Sequence, residues 1–268
     1  MRIDAHVHLP VTGDDRTFDK AKDLLLCDMR EHDVEYAILI PDNVSGSPIG
    51  DTETALSLFE STPNIFVMGT IDIQRQGQEW IARLDELMTR RRIVGMKIFP
   101  GHDPIYPTDP RLFPIYNLCQ TQGVPVVIHT GWNTNHPEVA KYNDPKYIVE
   151  VARLYPALSI VNAHFFWPDV EYCYRLTNPV PNIFYDTSAL ADEEVIRETG
   201  IDRIRKALSD TMAGDPRRII FGTDYAMCDV EAHIELIRSL SLSGDDEERV
   251  FWRNAARVFR LPVGGGAW

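Results

Sequence analysis

The sequence predicts a single (β/α)8 barrel with one extra helix at its C-terminal end. Three observations carry that prediction. Short β-branched and aromatic runs recur eight times along the 268 residues. Their starts lie about thirty residues apart, the span of a strand–helix–strand unit. The segments between them show the apolar spacing of amphipathic helices. Strands that alternate with helices form a parallel sheet covered on both faces, and eight such units close most economically into a barrel. An open doubly wound sheet is the competing architecture, but no GxGxxG follows the first run and no P-loop motif occurs.

The first run is RIDAHVHL (2–9). Strand alternation places Asp4, His6 and His8 on one face and Ile3, Ala5 and Val7 on the other. EYAILIP (35–41) and IFVMGTIDI (65–73) are the second and third strands. The amphipathic stretch 79–91 leads into IVGMKIF (93–99), 112–123 into VPVVIHTG (124–131), and 147–155 into LSIVNAHF (158–165). IFYDTSA (183–189) and RIIFGTD (218–224) complete the eight. DDEERVFWRNAARVF (245–259) reads as the extra helix, packing Val250, Phe251, Ala255, Val258 and Phe259. The closing GGGAW reads as a mobile tail. No linker, repeat or low-complexity tract interrupts the chain, so residues 1–268 form one domain.

A hydrophobic fraction of 44% supports one large core. With 27 basic and 40 acidic residues the net charge is −13, which argues against nucleic acid and against an anionic membrane surface as partners. Cys27, Cys119, Cys173 and Cys228 are widely spaced and form no CxxC, so neither a zinc ribbon nor a disulfide framework is expected. No apolar run approaches the ~18 residues of a membrane span. The chain opens directly on strand-like sequence, with no signal peptide, and the cytoplasm is the expected compartment. A small-molecule substrate is the expected partner, and a homo-oligomer stays open.

In such a barrel the C-terminal strand ends form the functional face. Strand one ends in His6 and His8, strand four carries Lys97, strand five ends at His129, strand six at His164, and strand eight at Asp224. One buried histidine alone is more often a hydrogen-bonded core residue than a ligand. Six such residues at equivalent places on five strands are another matter, because buried lysines and aspartates are rare unless paired. Imidazole and carboxylate donors without thiolate suit zinc, iron(II), manganese or cobalt. Zinc is the default for hydrolysis, since it polarises a carbonyl and brings the pKa of bound water to about 7. His6, His8, His129 and Asp224 make a three-to-four-ligand site with a place for water.

The fragments DAHVHL, MKIFP, VVIHTG, IVNAHF, FYDTS, FGTDY and NAARVF, in this order, resemble the amidohydrolase superfamily. Within it they resemble the amidohydrolase-related branch (amidohydrolase 2), which includes small barrel hydrolases and zinc-dependent decarboxylases. The resemblance spans nearly the whole chain. It implies that His6 and His8 bind a metal, and that Asp224 binds it and takes the proton of the hydrolytic water. It also makes His129 a further ligand, and His164 either a ligand of a second metal or the group that polarises the substrate. Lys97 has two implied states. In binuclear relatives such as the dihydroorotases, a lysine at this place is carboxylated and bridges two metals, with His129 and His164 on the second ion. In the mononuclear branch it binds substrate or a nearby water. The implied cofactor is a divalent ion, Zn²⁺ first, as one ion or as two bridged by carboxylated Lys97.

The βα loops are expected to shape the pocket. Residues 131–145 could form a lid, and Trp132, His136, Phe165, Phe166, Trp167 and Tyr225 are candidate aromatic walls, although ordinary packing is the commoner fate of each. His102 and Asp103 read as turn residues beside Lys97, and Arg16, Arg75 and Lys141 are weak candidates for holding a carboxylate. Asp186, in YDTS, is a candidate for orienting a ligand histidine, and Asn254 for a structural role. Three functions compete. The first is hydrolysis of an amide, lactone or ester. The second is non-oxidative decarboxylation of a small aromatic or unsaturated acid. The third, a non-catalytic metal-binding barrel, predicts loss of a catalytic member, yet His164 and Asp224 are both present.

Overall fold

The computed structural model describes residues 1–10, 17–73, 78–132 and 136–264. Its strands are β1 (Ile3–Val7), β2 (Tyr36–Leu39), β3 (Ile65–Val67), β4 (Gly69–Thr70), β5 (Met96–Ile98), β6 (Val126–Ile128), β7 (Ile160–Asn162), β8 (Ile183–Asp186) and β9 (Ile219–Ile220). All pairing is parallel, in the orders β1-β2-β3 and β4-β5-β6-β7-β8-β9. β3 and β4 are two halves of the third predicted strand. Between them Met68 N donates to Leu39 O at 2.9 Å, and Gly69 N then turns to Gly95 O at 2.9 Å, which joins the two sheets. At the other edge Ala5 N donates to Phe221 O at 3.0 Å and Asp224 N to His6 O at 2.9 Å. The chain after β9 therefore pairs with β1, and the barrel closes.

Around it lie α1 (Phe18–Glu31), α2 (Thr52–Leu58), α3 (Gln78–Thr89), α4 (Phe113–Gln122), α5 (Pro145–Leu154), α6 (Val170–Thr177), α7 (Glu193–Thr199), α8 (Ile201–Gly214) and α9 (Val230–Arg238). Their starts are set by short polar side chains. Thr17, Asp51, Asp144, Asp192 and Asp229 each accept a backbone N–H of the first turn. Helix α4 stops at Gly123, whose φ of 65° is the left-handed cap that glycine adopts without strain. Apolar spacing then chooses the buried face, as with Ala21, Leu25 and Met29 of α1.

The C-terminal segment departs from one regular helix. It runs as α10 (Gly244–Glu248), a widened π turn over Arg249–Arg253, and α11 (Asn254–Val258). The widened turn presents Val250 O to Phe221 N at 3.0 Å, tying this segment to the end of β9. Val250, Phe251, Ala255, Val258 and Phe259 are all buried. Ala255, Ala256 and Val258 of α11, with Phe259, Leu261 and Val263, join the interior cluster of Ile3, Ala5, Ile38 and Ile220, so this segment completes the core inside the barrel. Asn254 Nδ2 fixes it by donating to Pro216 O at 2.8 Å and Ile219 O at 2.7 Å, a structural role. The tail residues 265–268 lie outside the described residues.

The first strand corrects the simple alternation. Asp4 pairs with Ala37 but Val7 pairs with Leu39, so Ala5 and His6 together oppose the single residue Ile38. This is a β-bulge. It keeps Ile3 and Ala5 with the interior residues Ile38, Met68 and Val127, while His6 and His8 still converge and Asp4 leaves their face. Gly222 accommodates the bulge, because a Cβ there would lie 3.0 Å from His6 Cβ. Asp4 instead ties the seam. Its carboxylate accepts from Thr223 N at 3.0 Å, Thr223 Oγ1 at 2.6 Å and His6 N at 3.1 Å, and burial pushes its pKa up to about 7 against those bonds.

Asp4→Ala leaves these buried donors without an acceptor and is expected to lower the unfolding free energy by about 2–4 kcal/mol. Asp4→Asn keeps the acceptor oxygen and adds no charge to bury. Urea unfolding of both variants should therefore place Asn close to the parent and Ala well below it.

Candidate metal centre

His6 sits on the bulge of β1 and His8 just beyond it, Lys97 on β5, and His129 one residue past β6. His164 follows β7, and Asp224 lies four residues past the end of β9. All six line one cavity of about 380 Å³ at the C-terminal end of the barrel. His6 Nε2 is 3.3 Å from Lys97 Nζ and 3.5 Å from Asp224 Oδ1, and His8 Nε2 is 3.3 Å from the same oxygen. His164 Nδ1 is 3.9 Å from Asp224 Oδ2. The His164 ring lies 4.9 Å from that of His6 and 4.9 Å from that of His129. His6, His164 and Asp224 offer ligand atoms within 4.8 Å of one another.

The outer nitrogens of two of these rings are already engaged. His6 Nδ1 donates to Asp186 Oδ2 at 2.8 Å, and His8 Nδ1 donates to Ile40 O at 2.8 Å. With Nδ1 of each ring already donating, Nε2 is the nitrogen left to a ligand, and both Nε2 atoms face Asp224 Oδ1. That oxygen is buried and has no hydrogen-bond partner among the described residues. A buried carboxylate oxygen left without a hydrogen-bond partner beside two imidazole nitrogens is a place that a cation would satisfy. The donor set fits a divalent ion, and His6, His164 and Asp224, with His8 beside them, are residues that could hold it.

Asp186 organises the centre from the last residue of β8. Its other oxygen accepts from His164 N at 3.1 Å and from the Ser188 hydroxyl, and Ser188 Oγ lies 2.9 Å from His164 Nδ1. Burial raises the Asp186 carboxyl, but the neighbouring His6 outweighs it and holds the group well below the usual carboxylate range. Burial also acts against ionised Asp224, and His164, His8 and His6 together reverse it and keep the carboxylate ionised. Burial and the Lys97 charge bring His6 down to about 3. Burial lowers Lys97 to about 8, opposed by Asp186 and Asp224. His129 is held well below its ordinary value by burial and by the neighbouring His164 and His102.

The remaining candidates separate. His102 does line the cavity, its ring 4.6 Å from that of His129. Asp103 sits behind the wall and accepts from Asn43 Nδ2 at 2.7 Å. Burial and the charge of Asp72 raise its carboxyl to about 6. None of the six candidate aromatic walls lines the cavity. Phe165 turns away to stack on Tyr185 at 4.4 Å, Tyr225 donates its hydroxyl to Asp28, and exposed His136 lies 3.4 Å from Glu138. Lys141 packs over Tyr142, and Arg16 and Arg75 lie outside the described residues. Sequence reasoning missed Asp42, Asn43, Ile49, Phe99 and Met227 in the lining. Phe99 was accessible by alternation from Lys97, and Asp42 by alternation from Ile38 and Ile40.

The chain matches the family model described as "Amidohydrolase" over residues 3–261. It belongs to the amidohydrolase family. No curated protein matches it. Solved structures share the fold. A TIM-barrel protein of Bordetella bronchiseptica superposes with a TM-score of 0.77 at 22% identity, covering 97% of this chain and 98% of that one. A Burkholderia multivorans amidohydrolase with bound zinc gives 0.73 at 17% identity, over 98% and 100%. A 2,6-dihydroxybenzoate decarboxylase from Rhizobium gives 0.68 at 16% identity, over 98% and 99%.

Asp186→Asn keeps the shape of the side chain but weakens its hold on His6 Nδ1. Such a change typically costs about 10–100-fold in metal affinity. A chelator-competition titration with zinc should show that loss in this amidohydrolase, with the far-ultraviolet circular dichroism unchanged.

Proposed function

We propose that this amidohydrolase hydrolyses a C–N or C–O bond of a small molecule, an amide, lactone or ester, with a divalent metal, zinc by preference. The observation that supports the metal in this reading most is the unpartnered Asp224 Oδ1, faced by His6 Nε2 at 3.5 Å and His8 Nε2 at 3.3 Å. When bound, the ion supplies Lewis acidity, polarising a carbonyl and making water more acidic. His6, His8 and Asp224 would hold it, with His129 and His164 completing the set or, with a carboxylated Lys97, serving a second ion. The protein's own groups then do the rest. Asp224 accepts the proton of the attacking water through the oxygen that faces His164. His164, with Nδ1 engaged by Ser188, is steadied next to the reacting group and can polarise it. The cavity of about 380 Å³ suits a small substrate.

One specific observation favours the alternative, non-oxidative decarboxylation. Lys97 places an amine inside the cavity, 3.3 Å from His6, where a substrate carboxylate could meet it. Against this stands Asp42 on the cavity wall, whose carboxylate, although it accepts from Asn43 N, Val44 N and Ser47 Oγ, adds negative charge to that side. Hydrolysis of an uncharged acyl compound fits that wall better.

A screen of lactones, N-acyl compounds, esters and aromatic carboxylates separates the two, since release of CO₂ would move the assignment to decarboxylation. With a substrate in hand, Asp224→Asn retains one coordinating oxygen but no proton acceptor. Its kcat is expected to fall by about 10²–10⁴-fold with KM little changed. A metal-replete Asn variant with near-normal kcat would remove Asp224 as the base.

A further inference from the structure

His164 belongs to a backbone turn that three consecutive non-glycine residues hold in the left-handed region. The φ angles of His164, Phe165 and Phe166 are 64°, 54° and 55°. Left-handed backbone crowds Cβ against the following carbonyl, so a run of three side-chain-bearing residues persists only where the surroundings fix it. Two side chains grip its two ends. At the start, His164 N donates to Asp186 Oδ1 at 3.1 Å. At the end, Phe166 N donates to Thr130 Oγ1 at 2.9 Å. The Thr130 hydroxyl in turn has two acceptors in reach, Asn162 Oδ1 at 2.8 Å and Ala163 O at 2.5 Å. One hydroxyl thus ties the end of the turn back to the residues just before it. Thr130 and Asn162 have no solvent exposure, and neither lines the cavity.

We propose that Thr130 is a positioning residue for the metal centre. Its hydroxyl locks the left-handed turn, and the turn holds His164 beside Asp224 and His6. The inference rests on the metal reading above, in which His164 is a ligand or a neighbour of the ion. Asp186 cannot isolate this effect, because it also bonds His6 directly. Thr130 bonds no candidate ligand side chain. It does follow His129 in sequence, but the backbone of His129 is fixed independently, with its N–H donating to Ile98 O at 3.1 Å.

The test compares zinc affinity, by chelator competition, in the parent, Thr130→Val, Thr130→Ser, His164→Ala and the Thr130→Val/His164→Ala double variant. Phe166 amide exchange is followed by NMR alongside. Removing the hydroxyl should weaken zinc binding about 10–100-fold, while Ser, which keeps it, stays within about threefold of the parent. In the His164→Ala background, Thr130→Val should add no further loss. Phe166 amide exchange should quicken in the Val variant and not in Ser. Parent-like zinc affinity in Thr130→Val overturns the proposal, as does an equal loss in the His164→Ala background, which would place the effect at His129. A parent that binds no zinc overturns the metal reading instead, and is told apart by the parent titration alone. If Thr130→Val does not fold, Thr130→Ala removes the same hydroxyl without crowding and is judged by the same outcomes.

Discussion

The hydrogen bond from Asp224 N to His6 O, 2.9 Å long, joins the two ends of the sheet. It closes the barrel, and it also brings the candidate base from the segment after β9 beside the candidate ligands of β1. Closure and chemistry therefore depend on the same seam. Its geometry is tightly constrained. The bulge at Ala5 and His6 needs the missing side chain of Gly222, and Asp4 braces the other side through Thr223. A centre built on a seam is held by long-range pairing between residues more than two hundred positions apart. Barrel packing resists its distortion far better than a loop would.

Burial gives the centre its electrostatic character. Removed from water, His6 and His129 are pressed toward their uncharged forms and keep a lone pair for a cation, while the Nδ1–H that His6 donates helps hold Asp186 ionised. The partners of His6 Nδ1 and His8 Nδ1 then leave Nε2 as the nitrogen for a ligand. This is why Asp186 on β8 and the Ile40 carbonyl just past β2 matter as much as the histidines themselves.

Much of this was legible in the sequence because strand periodicity is simple. His6 and His8, Lys97, His129, His164 and Asp224 are read from the ends of hydrophobic runs, and the structure brings all six to one cavity. The extra packing segment 245–259 was visible from its apolar spacing, although the π turn within it was not, since it inserts a residue without changing that pattern. The bulge in β1 was hidden for the same reason. The strands themselves are shorter than the runs, because a staggered barrel leaves few residues paired on both sides, and 65–73 breaks where Met68 hands over from one neighbour to the next. The aromatic wall failed at Phe165 because a left-handed turn of ordinary residues carries no sequence signal. That turn sends the ring to Tyr185 and away from the cavity.

The central claim is that His6, His8 and Asp224 converge on a cation. The most direct measurement is an anomalous difference map, collected at the zinc edge, from crystals of the protein purified with zinc. The account predicts a peak within coordination distance of His6 Nε2, His8 Nε2 and Asp224 Oδ1, about 2.0–2.2 Å from each. An ordered cavity with zinc in the crystals and no peak there, or a peak bound only by other residues, would contradict it.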